Sequence, residues 1–111
     1  MQSKLKLIKD TLLKVTDKVW HYEAAQMEDQ YIVWAEDSEG SSVEGDNKKV
    51  NQSIQGTIDY YTQKEFDENV DRIQDVLRDA EISFYLNSVQ DESEYDEGSG
   101  YIHYEWVFEV T

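Results

Sequence analysis

The sequence predicts an α+β domain: a mainly antiparallel β-sheet with two helices packed on one face. Three observations predict it. Two stretches carry apolar residues at the three-and-four spacing of an amphipathic helix. Others alternate, or form short β-type runs. The order along the 111 residues is helix, strand, strand, long loop, strand, helix, strand, strand. No internal repeat marks a second domain, so residues 1–111 are expected to form one unit, long enough to bury a core without covalent staples.

The first helix is predicted over 3–19. Leu5, Ile8, Leu12, Val15 and Val19 lie on one stripe, Leu13 widens it, and lysines hold most of the opposite face. Ser3 is the N-cap candidate. The aromatic run VWHYEAA (19–25) either starts a strand or finishes the helix, and the strand is the preferred reading. QYIVWAE (30–36) is apolar on both faces, as expected of a strand within a sheet. DSEGSSVEGDNKK (37–49) has no periodicity and reads as an exposed, mobile loop.

VNQSIQGTIDYY (50–61) alternates as a long half-buried strand, with Gly56 marking a bulge, a bend or a close neighbour. Thr62 and Glu65 then form T-x-x-E, a capping box that announces a second helix over 63–79. Phe66, Val70, Ile73, Val76 and Leu77 make its apolar stripe. ISFYLNSVQ (82–90) and GYIHYEWVFEV (100–110) flank an acidic segment and are predicted to pair as an antiparallel hairpin with a long acidic tip. In the last strand Ile102, Tyr104, Trp106, Phe108 and Val110 face the helices. Tyr101, His103, Glu105, Val107 and Glu109 form the other face. Each large side chain buried there contributes about 1.5–3 kcal/mol, so losing this strand is expected to unfold the domain.

The chain holds no cysteine, which excludes disulfides, thiolate metal sites and a cysteine nucleophile. No apolar run reaches the roughly 20 residues of a membrane helix. The lysines of the first segment are spread through its apolar pattern, unlike a signal peptide. A soluble protein made in the cytoplasm is the expectation. The net charge is −15. Residues 1–20 carry five lysines against two aspartates, a surplus of three positive charges, which leaves −18 for the remainder. Such a field repels nucleic acid and anionic membranes.

No pattern of catalytic, cofactor or metal-binding residues emerges. His21 and His103 sit in strand-like contexts without the helical spacing of a metal motif. The acidic segments do not fit a calcium loop, and the five glycines form no phosphate-binding motif. The expectation is no catalytic residue, no cofactor and no metal. What remains is surface. Tyr61, Tyr85, Tyr95, Tyr101 and Trp20 or Tyr22 cannot all point into one small core. They are either scattered surface aromatics or part of an oligomer or partner interface. For the second alternative the candidates are Tyr61, Tyr85, Tyr101, His103, Glu105 and Glu109.

The segments YIVWAED, QGTIDYYTQKEFDENVDRIQDVL, LNSVQ and GYIHYEWVFEV, spanning roughly 30–110, resemble small tail-assembly proteins of prophages in Gram-positive bacteria. These are relatives of the tail terminator, or tail-completion, proteins of long-tailed phages. Relatives tend to have a proline before the YIVW run, where this chain has Asp29-Gln30. The resemblance implies a non-enzymatic minor tail protein, with helices against an antiparallel sheet. It implies a hexameric ring of identical subunits that ends tail-tube growth. The partners implied are the tail-tube protein and the head–tail connector, with DNA passing through the ring without specific binding. The location implied is the virion tail, and the host cytoplasm during assembly. A different class of function, an acidic DNA mimic or other protein-binding module, would require charges in a regular array on a rigid face. A small hydrolase would require a motif that the chain lacks.

Overall fold

The computed structural model describes residues 1–39, 53–92 and 100–111. It has the α+β architecture expected, with helices α1 (Gln2–Leu12) and α2 (Asn69–Asp79) and strands β1 (Val19–His21), β2 (Gln30–Glu39), β3 (Ile54–Thr62), β4 (Ser83–Asp91) and β5 (Ile102–Val110). The strands form one sheet in the order β1-β2-β3-β5-β4. β1 runs parallel to β2 and every other neighbouring pair is antiparallel. Both helices contribute to a core on one face of the sheet. Ile8 and Leu12 of α1 and Ile73 and Leu77 of α2 meet Ile32, Trp34, Ile58, Tyr60, Trp106, Phe108 and Val110. Trp106 is fully buried, and its indole N–H donates to Gln74 Oε1 at 3.0 Å. Ile102 and Tyr104, nearer the start of β5, are only half-buried.

Helix α1 ends at Leu12, not at 19. Lys14 and Val15 donate to the carbonyls of Thr11 and Leu12, tightening the last turn, and the Thr16 hydroxyl accepts the Lys18 N–H. Such local side-chain bonds compete with helical ones. Val15 is buried from the turn and Val19, partly buried, packs on the same core from β1, so the helical spacing of these two residues arises from separate elements serving one core. Ser3 is not the cap: the helix starts at Gln2, behind Met1, without a side-chain cap bond. The strand expected over 19–25 has three residues, and its parallel pairing opens with Ile32 N–H donating to Lys18 O.

Helix α2 starts at Asn69, later than the capping box announced. Thr62 belongs to β3 and is buried, and Phe66, expected on the apolar stripe, has φ 57° and is 89% exposed. The reason is Asp67. Its Oδ2 accepts Tyr60 Oη at 2.5 Å, Gln30 Nε2 at 2.6 Å and Thr62 Oγ1 at 2.7 Å, and its Oδ1 accepts the Asn69 N–H at 2.9 Å. Burial alone would raise the Asp67 pKa. The bonds from Tyr60, Thr62, Asn69 and Gln30 outweigh burial and hold it below its ordinary value.

Within the segment read as a loop over 37–49, residues 37–39 extend β2, and 40–49 lie outside the described residues. The strand expected from 50 begins at Ile54, with 50–52 likewise outside. Asp91 ends β4, and 93–99 of the hairpin tip lie outside too. Of the three roles offered for Gly56, the close neighbour is the one found. A Cβ there would lie 2.0 Å from the Ala35 carbonyl oxygen. The bulge lies on the facing strand, between Glu36 and Ser38. Gly56→Ala is expected to push β2 away from β3 and lower stability by about 3 kcal/mol, the upper end of the overpacking range. Urea denaturation checks this through a lower midpoint at unchanged slope.

Candidate functional site

Alternation along each strand sends every second side chain to the face opposite the helices. Register then aligns these side chains in rows. Tyr31 lies opposite Tyr61, Tyr61 opposite His103, and His103 opposite Gln90. The next row runs Val33, Asp59, Glu105, Ser88, and the one after it Ala35, Thr57, Val107, Tyr85.

The first row is a ring stack. Tyr31 and Tyr61 have centroids 4.8 Å apart at 14°, and Tyr61 and His103 lie 4.2 Å apart at 15°. Tyr101 meets Tyr31 and Tyr61 edge-on, at 5.9 and 6.4 Å. Carboxylates clamp the end of the stack. His103 Nε2 is 2.7 Å from Asp59 Oδ1, and its Nδ1 is 3.5 Å from Glu92 Oε2. Burial works to lower the His103 pKa, but the Asp59 hydrogen bond and the charges of Asp59 and Glu92 raise it above its ordinary value. Burial and the nearby charges, Asp59 first among them, push Tyr61 the same way, so it stays a neutral phenol. Glu105 Oε1 accepts Asn87 Nδ2 at 2.7 Å, and Glu109 Oε2 accepts Ser53 Oγ at 2.8 Å.

Of the six candidate interface residues, Tyr61, His103 and Glu105 come together here. Glu109 shares the face farther along β5, and Tyr85 stands at its β4 margin, 59% exposed. Tyr101 does not present itself as a contact. It precedes β5, is 7% exposed, and its hydroxyl donates to Glu28 O at 2.5 Å, so it seals the ring stack from the side. Tyr31, Asp59 and Glu92 belong to the cluster although the sequence did not single them out. Tyr31 and Asp59 were within reach of strand alternation in 30–36 and 50–61.

His21 belongs to a separate group at the other edge. Its ring stacks on Tyr22 and Trp34, 3.9 Å from each, and its Nε2 lies 2.7 Å from Glu36 Oε1. Tyr22 also donates to Glu36. Burial would raise the Glu36 pKa; the bonds from Tyr22 and His21 outweigh it and lower it. Trp20 is half-buried and Tyr22 exposed, whereas Tyr95 lies outside the described residues.

Chemically, the outer face is held by ring stacking and by hydrogen bonds to carboxylates. Both nitrogens of His103 face carboxylates, and its ring is stacked, so no lone pair is aimed at an open cleft. Among the described residues, no three His, Asp or Glu side chains are grouped to hold a metal ion. No helix among the described residues is long and apolar enough to cross a membrane.

No family model matches the chain. Nor does any curated protein.

The raised His103 pKa makes a pH-dependent contribution. A folded-state pKa above the unfolded value of about 6.5 gives stability that is fully present below that pH and lost as pH rises through the folded value. His103→Gln is therefore expected to cost more at about pH 6 than at about pH 9. Urea melts of both proteins across that range measure the gap.

Proposed function

We propose that the chain is a non-enzymatic phage tail-assembly subunit of the tail-terminator or tail-completion type. In this reading copies join into a ring that ends tail-tube growth and offers a docking surface to the head–tail connector. The observation that carries the reading is the outer sheet face. Tyr61 and His103 are half-buried there, stacked on each other and clamped by Asp59 and Glu92, with the buried Tyr31 completing the stack. An ordered aromatic row with a polar rim is the anatomy of a protein interface.

Three further features support it. The helix-on-antiparallel-sheet architecture is the one that the resemblance implies. Lys6, Lys9 and Lys14 are exposed on and just after α1, while Asp59, Glu105 and Glu109 line the outer face. These patches of opposite charge suit a head-to-tail contact, in which one surface meets a different surface of the next copy. The acidic remainder of the chain would let DNA pass through a ring without adhering. The subunit would need no cofactor, and would work in the host cytoplasm during assembly and then in the virion tail.

A second reading, an acidic module that occupies the site of a DNA-binding protein, is favoured by one feature. Asp59 and Glu105 are direct cross-strand partners on a rigid face, with Glu109 on the same face.

Light scattering after gel filtration, at low and high salt and across concentrations, tests the ring. A discrete hexamer is expected, with Tyr61→Ala weakening association about tenfold or more. A monomer at every concentration that isolated tail tubes also fail to recruit would overturn the reading.

A further inference from the structure

We propose that the outer edge of β4 is a docking site for an extended segment of another protein, which adds to the sheet as a further strand. The segment that fits is apolar at alternate positions, uncharged along its middle, and basic at both ends. This inference is independent of the ring.

β4 closes the sheet and, among the described residues, pairs with β5 alone. It is nine residues long, whereas β1 at the opposite edge has three. Long edge strands invite pairing, and proteins blunt them with charged side chains, proline, shortness or a bulge. Of these devices β4 has the bulge alone before its terminal Asp91. Ser83 to Gln90 reads SFYLNSVQ, without a charge or a proline, in a chain with 32% charged residues. A bulge between Leu86 and Ser88 is its one irregularity. Tyr85, Leu86 and Val89 are 59%, 46% and 51% exposed. Register puts Tyr85 on the outer face and Leu86 and Val89 on the helical side, so an incoming strand meets apolar partners on both faces.

Charge selects the occupant. Glu81 precedes the strand, Asp91 and Glu92 end it, and Glu105 lies beside it on β5. Arg78, with its guanidinium 5.8 Å over the Phe84 ring, and Glu109, opposite Ser83, also stand at the first end. The docking strip is thus neutral in its middle, with carboxylates in excess at both ends. Antiparallel pairing of two β4 strands would bring the Asp91–Glu92 end of one copy against the Glu81 end of the other, between chains of net charge −15. A strand with lysine or arginine at its ends places opposite charges there instead, while the backbone ladder supplies affinity.

The test uses the full chain and a fluorescent synthetic peptide of alternating valine and threonine with paired lysines at each end. The peptide is expected to bind and to protect β4 amides from hydrogen exchange. N-methylation at alternate peptide residues, which deletes ladder donors but keeps the charge, is expected to weaken binding by about tenfold or more. The double variant Leu86→Lys, Val89→Lys changes only exposed positions. It is expected to weaken binding similarly with an unchanged melting temperature. Equal binding of the N-methylated peptide, or of one ending in glutamates, would overturn the proposal, as would unprotected β4 amides. Protection of those amides by protein concentration alone, with a doubling of mass, would assign the edge to a second copy and overturn it too.

Discussion

One buried carboxylate governs how the helices meet the sheet. Asp67 draws donors from β2, from β3 and from the first backbone N–H of α2, joining three elements at one point. A buried charge is tolerated only when its lone pairs are satisfied, and here four donors converge on it. That requirement sets the path of the chain after β3. Thr62 must stay in the strand with its hydroxyl turned inward, and α2 must wait until Asn69. Phe66 takes a positive φ and points to solvent. Once the helix starts there, Ile73 and Leu77 fall onto the core.

The opposite face solves another problem. Asp59 and Glu105 are cross-strand neighbours, and like charges so placed repel. His103 beside Asp59 and Asn87 beside Glu105 offset that repulsion, and the tyrosine stack holds the imidazole in place. The face is therefore ordered by interactions internal to the chain.

The fold class was legible because two signals dominate the sequence: helical stripes around Ile8 and Ile73, and alternation through Ile54–Tyr60 and Ile102–Val110. Boundaries were lost where a side chain competes with the backbone, at Thr16 after α1 and at Asp67 before α2, since periodicity carries no trace of such bonds. Tyr61, His103 and Glu105 were legible from alternation within single strands. Their grouping with Tyr31, Asp59 and Glu92 was not, because it depends on register between strands that are far apart in the chain. Tyr101 joins the outer-face rings as parity expects, but its burial was not legible: β5 starts one residue later and the Tyr101 hydroxyl reaches Glu28 O.

The place of β5 in the sheet has a consequence for biosynthesis. It follows β4 in the chain yet lies between β3 and β4. While the polypeptide is being translated, β4 emerges with no ladder to join, and β3 lacks the partner on that side until β5 has left the ribosome. The sheet closes late, through contacts distant in sequence, the kind that form slowly and leave nascent strands unprotected. Carboxylates bracket SFYLNSVQ at Glu81, Asp91 and Glu92, the flanking position in which charges oppose the mispairing of an uncharged strand during that interval.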